Sequence, residues 1–148
     1  FGAGMVAGNL VGARLADKSL LKTIAGLLVW DVLVLSAFSF TAPYVAAVSL
    51  NVFLLGTVVA IAPALQIRLM DVAGDAQTLA AASHHAAFNT ANALGPWLGG
   101  MAITAGLGWT STGYVGAAMA VAGLLIYAGA RQTLRARYAT VEAACPSR

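Results

Sequence analysis

Asp31, His84 and His85 are the side chains set within apolar stretches that could carry a proton, and each points to a different chemistry. Asp31 lies near the middle of the apolar run from Thr23 to Phe40. A carboxylate at the centre of so apolar a helix costs at least about 2–3 kcal/mol unless it is paired, protonated or wetted. It therefore reads either as a proton or cation relay or as a residue bonded to a neighbouring helix. The second is the commoner fate here, because no basic residue lies at the same depth. His84 and His85 are adjacent, so on a helix they point about 100° apart and cannot easily share one metal ion. No Cys, Asp or Glu lies within four residues of either, and no metal site is expected. One of them could titrate near neutral pH as a proton carrier; a histidine bonded near a membrane surface is the more frequent case. Cys145, alone in the tail, has no cysteine with which to form an internal disulfide or a metal site. Scattered in this way, the reactive groups argue against an enzyme, and no cofactor is expected.

The uncharged polar candidates are three asparagines. Asn51 sits a third of the way into the run from Pro43 to Leu69, where it could face a cavity or bond between helices. Asn89 and Asn92 lie beside a stripe of small residues. That stripe, Ala91, Gly95, Gly99, Ala102 and Gly106, recurs at spacings of four or three, giving one helix face that is nearly bare backbone. Gly4, Gly8 and Gly12 make a second seam of the same kind. Pro96 removes an N–H and crowds the carbonyl of Asn92, so a bend is expected there.

These residues need long apolar elements to position them, and the composition supplies such elements. The chain has 148 residues, 60% hydrophobic and 9% charged, with a mean hydropathy of +0.84. That leaves too little polar surface to coat a soluble globule. The apolar residues fall in long unalternating runs, which indicates membrane helices and not barrel strands. Leu79 to Leu107 alone carries no formal charge over 29 residues, about 43 Å of helix. Helices are expected at about 1–13, 19–41, 43–70, 77–107 and 112–134, forming one partial bundle over 1–137, with a tail at 138–148. The first apolar run is too short to cross a bilayer and the chain starts at Phe1, which suggests that its front is missing. Asn9 to Lys22 reads as a polar connector in which Asp17 caps the next helix. Pro63 predicts a kink, and Asp71, Gly74 and Asp75 a turn.

Charge tests this map. The net charge of +3 is eight basic residues against five acidic ones, and the expected turns place all eight basic residues on one side: Arg14, Lys18 and Lys22, then Arg68, then Arg131, Arg135, Arg137 and Arg148. By the positive-inside rule that side is cytoplasmic, as is the C-terminus. Tyr44, Trp109 and Tyr114 fall on the opposite side, where an aromatic belt belongs. Basic loops that set orientation, and not nucleic-acid binding, account for the pI of about 9.4.

Three stretches resemble the C-terminal half of major facilitator superfamily transporters, in the branch of twelve-helix drug and sugar efflux proteins. GNLVGARLADK (Gly8 to Lys18) is similar to the cytoplasmic signature after helix eight, PALQIRLM (Pro63 to Met70) to the inner end of helix ten, and FNTANALGPWLGG (Phe88 to Gly100) to helix eleven. Two departures stand out: Ala91 replaces the first glycine of the antiporter pattern that Gly95, Pro96, Gly99 and Gly100 match, and Ala13, Leu20 and Leu21 replace residues of the cytoplasmic signature. The third run also lacks the embedded arginine usual in helix four, and the chain ends on a basic tail, which favours the C-terminal over the N-terminal half.

The resemblance implies an all-α polytopic bundle, the end of helix eight through helix twelve, within the six-helix C-terminal half. It implies a secondary active transporter of the bacterial cytoplasmic membrane that exports drugs or sugars by alternating access, exchanging a small-molecule solute for protons. The partners would be that solute, the lipid bilayer and an N-terminal half. Arg14, Asp17 and Lys18 would form a conformational latch. Gly4, Gly8, Gly12, Gly95, Pro96, Gly99 and Gly100 would form packing and gating seams against the other half, and Asn51 would face the cavity. Asp31 would fall on a peripheral helix. A small four-span scaffold or assembly subunit is the alternative; it explains the packing stripes equally well.

Overall fold

The computed structural model describes the backbone of residues 1–144 and the side chains of residues 1–134. Five helices account for nearly all of it: α1 (Gly2–Thr41), α2 (Val45–Val58), α3 (Ile61–Val72), α4 (Gln77–Ala102) and α5 (Ser111–Ala144). No strand occurs among the described residues, and the chain is an all-α bundle. α1, the continuous Val45–Val72 pair and Ser111–Leu134 are each long and apolar enough to cross a membrane. α4 has the length, about 39 Å for its 26 residues, but is not among these apolar spans. Gln77, the two histidines and the two asparagines lower its hydropathy below that of its neighbours.

α1 is two arms joined at Ser19, whose backbone is extended (φ −166°, ψ 92°). The expected connector from Asn9 to Lys22 is therefore helical on both sides of one turning residue, and the helix restarts after Ser19, not at Asp17. Serine suits that place because it competes poorly for helix-interior positions. One turn on, the Thr23 hydroxyl donates to the Ser19 carbonyl at 3.0 Å and ties the second arm to the bend.

The break between α2 and α3 has a cause in sequence. Pro63 has no N–H to offer the carbonyl of Val59, four residues back, and its ring crowds that carbonyl. The chain responds with tighter bonds across the junction: Ala60 N–H donates to Thr57 and Ala62 N–H to Val59, each three residues back. Pro96 behaves otherwise, since α4 passes through it without leaving helical dihedrals. Helical geometry ends instead within the π-turn Ile103–Leu107, at Gly106 (φ 83°), and the chain turns again at Gly108 (φ 79°). Both values lie in the left-handed region that glycine enters without a Cβ clash. α5 runs through Ala144, well into the stretch expected as a tail; Cys145 and residues 146–148 lie outside the described residues.

Packing is built around α1. Its first arm runs parallel to α2, as the pairs Gly4–Phe53, Gly8–Thr57 and Gly12–Ala60 show. Its second arm runs antiparallel to α2, through Trp30–Thr57 and Val34–Asn51, and to α5, through Leu21–Tyr127 and Leu35–Gly113; α4 lies along α3 and α5. Few side chains are fully enclosed: Ile24 is completely buried, and Val34, Ala60, Ala64 and Ala120 nearly so. Val6, Phe40, Val45, Leu125 and Ile126 are among the large apolar residues that face outward, as the outer surface of a bundle in lipid requires. One end carries Tyr44, Trp109 and Tyr114, all exposed, with Tyr114 edge-on to Phe40 at 6.5 Å. At the other end, the Tyr127 hydroxyl donates to Leu21 O at 2.7 Å, close to Arg68 and Arg131.

Candidate functional site

The two small-residue seams have opposite fates. Gly4, Gly8 and Gly12 are buried and lie directly against α2. A Cβ on Gly8 would stand 2.5 Å from Thr57 Cα, and one on Gly12 2.7 Å from Ala60 Cβ. A Cβ on Gly4 would collide with the carbonyl oxygen of Phe53, and one on Gly56 would come within 2.9 Å of Met5 N. This corrects the expectation that the first seam faces another half of the protein. The seam is consumed inside the chain, because Gly56 on α2 and Ala60 at the α2–α3 junction, also four apart, supply a matching bare face.

The second seam stays mostly open. Nothing lies within 4 Å of a Cβ placed on Gly95 or Gly100, while one on Gly99 would touch Thr112 Cγ2 at 3.5 Å. Ala91, Gly95, Pro96 and Gly99 face Thr112, Val115 and Gly116 across a groove of about 510 Å³ between α4 and α5. Asn89 and Asn92 are exposed on the same helix. From Ser83 to Trp97, α4 is exposed at every residue but His84. His84 and His85 meet edge-on at 5.7 Å, and His84 stacks on Phe88 at 6.5 Å. No cluster of three metal-ligating side chains exists among the described residues.

Asn51 does not face a cavity. It is 3% exposed, and its Nδ2 donates to the carbonyl of Val34 on the second arm of α1 at 3.0 Å. Its Oδ1 accepts nothing among the described residues. An asparagine in an apolar bundle bonds across helices when a free carbonyl is within reach, and that is its role here. Asn51→Ala is expected to lower stability by about 1 kcal/mol, measured as a loss of thermal stability of the full-length protein in detergent. The unpaired Oδ1 keeps the loss small, since the substitution also removes a buried acceptor without a partner.

Arg14, Asp17 and Lys18, on the last two turns before the bend, are exposed. Lys18 and Lys22 edge a cleft of about 630 Å³ between the two arms of α1, which reaches down to Trp30 and Thr57. There the Trp30 Nε1 donates to Thr57 Oγ1 at 3.0 Å. Asp31 is half-buried on the second arm, two turns beyond Ile24.

Sequence reasoning missed two pairings. Gly113 and Gly116 on α5 receive Ser39 and Leu35 of α1; a Cβ on Gly113 would lie 2.6 Å from Ser39 Oγ and 3.1 Å from Leu35 O. Arg68 and Arg131, far apart in sequence, line one cleft. The Gly113/Gly116 spacing of three was a signal available in the sequence. The arginine pair had none beyond its common side of the membrane.

Known proteins similar to the chain are named as transporters. The chain is 39% identical over 134 residues, 88% of its own length, to the inner membrane transport protein YdhP of Escherichia coli K12. It is 36% identical over 129 residues to the MFS-type transporter YfhI of Bacillus subtilis, and 30% identical over 131 residues to the MFS-type transporter YtbD of the same organism. The two Bacillus proteins are named as uncharacterized. In each case the chain spans about a third of the relative's length: 34%, 32% and 33%. No protein-family model matches the chain, and no solved structure matches it with significance. Transporter relatives do not favour the scaffold alternative. Three bilayer-length apolar helices and homology to transporters on 85–88% of its residues make the chain a stretch of major facilitator superfamily sequence.

Proposed function

We propose that the chain is the C-terminal part, the end of helix eight through helix twelve, of a bacterial inner-membrane secondary transporter that exports drugs or sugars in exchange for protons by alternating access. The observation that carries this reading is the contrast between the two seams. The first arm of α1 and α2 are locked by glycine-to-backbone contact, whereas among the described residues nothing lies within 4 Å of a Cβ placed on Gly95 or Gly100 of α4, and Asn89 and Asn92 are exposed. A smooth, faintly polar helix face left open on an otherwise packed bundle suits a second half that rocks against it around a shared site. The partners on this reading are a small-molecule solute, protons and the N-terminal half. The basic end lies in the cytoplasm, since Arg14, Lys18, Lys22, Arg68 and Arg131 share it.

In this scheme Arg14, Asp17 and Lys18 act when the cytoplasmic side closes. Their position fits: they sit exposed within two turns of the Ser19 bend, at the end of an arm immobilised against α2, and so offer charges at a fixed place to a moving partner. Asn89 and Asn92 are the polar groups best placed for the cavity, and Asn51 is replaced in that role by its bond to Val34. The test is a resistance and efflux screen in cells expressing the full-length gene, comparing wild type with Asp17→Asn. Wild type should lower intracellular dye or drug, and the variant should lose at least about tenfold of that activity at equal membrane abundance, the equivalent of about 1.4 kcal/mol in the balance between states. Equal export by both proteins removes the latch. No export, with any compound of a broad drug and sugar panel, by wild type removes the efflux reading.

A further inference from the structure

Two arginines line one cleft on the outside of the bundle in a way that solute transport does not call for. Arg68, at the end of α3, and Arg131, on α5, both line a cleft of about 470 Å³ whose walls are otherwise apolar: Leu21, Ile24, Leu65, Leu69 and Leu134. Both arginines are half-buried. The cleft is framed by three helices, and one wall is fixed by the hydrogen bond from Tyr127 Oη on α5 to Leu21 O on α1. The acid nearest to Arg68 in sequence, Asp71, is exposed and is not part of the cleft lining. Two half-buried guanidinium groups thus share a mostly apolar hollow at the basic end of the bundle, near the level where lipid headgroups begin.

We propose that this cleft is a binding site for an anionic phospholipid, with the phosphate held by Arg68 and Arg131 and an acyl chain lying along Leu21, Leu65 and Leu134. The chemistry favours this occupant over a soluble anion. A guanidinium pairs with phosphate oxygens through two parallel N–H donors, and two guanidiniums offer four or more such donors to one phosphodiester. A soluble phosphate would use the donors and leave the leucine walls wet. A diacyl lipid uses both, and basic pockets between membrane helices on the cytoplasmic side are where such headgroups bind. Leu21, Leu65 and Leu134 are themselves exposed in the chain, so the apolar wall continues to the lipid-facing surface and a chain can enter sideways. The bound lipid would hold α3 and α5 together at the end where α3 leads into the turn before α4. The inference goes beyond the transport reading and does not depend on the solute.

The experiment uses the purified full-length protein in a neutral detergent, with bound lipid counted by native mass spectrometry. Phosphatidylglycerol and phosphatidylcholine of identical acyl chains are supplied together, with inorganic phosphate as a separate competitor. Wild type should retain phosphatidylglycerol over phosphatidylcholine by about tenfold or more, from two favourable cation contacts, and R68Q/R131Q should bring the ratio to within about twofold of one. R14Q/K18Q, which removes the same charge from the same end, should keep the preference. Should the double variant fail to fold, R68Q and R131Q taken singly should each lower the ratio at least threefold. No preference in wild type overturns the proposal, as does a preference that survives in R68Q/R131Q or falls equally in R14Q/K18Q. Displacement of the lipid by equimolar inorganic phosphate overturns it in favour of a soluble anion. A preference that emerges only after residues 138–148 are deleted overturns it in favour of the tail as the occupant.

Discussion

Gly8→Ala, one added methyl group, is expected to cost the full-length protein about 3 kcal/mol or more, at the upper end of overpacking effects, and to remove most of the folded material from a detergent extract. The new Cβ would stand 2.5 Å from Thr57 Cα, a distance at which backbone, and not a flexible side-chain end, has to move. Relief requires the first arm of α1 to separate from α2. That would also loosen the contacts at Gly4, Gly12 and Gly56, since all four glycines share one line of approach. The control is Gly26→Ala on the second arm, where nothing lies within 4 Å of the added atom. There the methyl group should be neutral or slightly stabilising, because alanine favours helix more than glycine does by about 1 kcal/mol. Thermal unfolding followed by fluorescence-detected size exclusion reads both variants. Equal melting of Gly8→Ala and wild type would show that the first arm does not rest on α2 in the membrane.

Gly95→Leu should give the opposite pattern, with a normal amount of folded protein and at least a tenfold loss of transport. Within the chain the added Cβ meets nothing within 4 Å, the groove of about 510 Å³ between α4 and α5 leaves room for the rest of the side chain, and leucine suits both lipid and helix, so insertion and stability are expected to hold. Function should suffer, because four carbons then stand on the smooth face that the proposed second half must approach. A blocked approach that disfavours one of two states by about 1.4 kcal/mol or more already shifts their ratio tenfold. Protein abundance in membrane fractions and dye efflux from intact cells separate the two effects. Wild-type efflux at wild-type abundance would take α4 out of the moving interface.

Much of the architecture was legible because it rests on local signals. The long apolar runs located the helices, and Pro63 located the α2–α3 break to within a few residues. The glycine stripes were legible as packing faces, but not what they pack against. Spacing shows that Gly4, Gly8 and Gly12 form a seam, and only the tertiary arrangement shows that Gly56 and Ala60 fill it. The same limit applies to Asn51: its depth was visible, and its partner, the Val34 carbonyl, depends on how α2 lies across the second arm of α1. Asn9 to Lys22 was misread as a connector because its charges suggested a loop. In fact Arg14, Asp17, Lys18 and Lys22 all lie on helix, and a single extended residue, Ser19, makes the turn. At Pro96 the helix continues without a break in dihedral angles, as a proline within an apolar helix can.

The parallel pairing of the first arm with α2 constrains the biogenesis of the protein. Parallel neighbours cannot be consecutive in an up-and-down chain, and 49 residues separate Gly8 from Thr57. At ribosomal rates of about 5–20 residues per second, the arm is synthesised several seconds before its mate exists. During that interval its bare ridge is exposed to the translocon and to newly inserted lipid. Assembly is complete only when the later helix arrives and displaces whatever has occupied the ridge in the meantime.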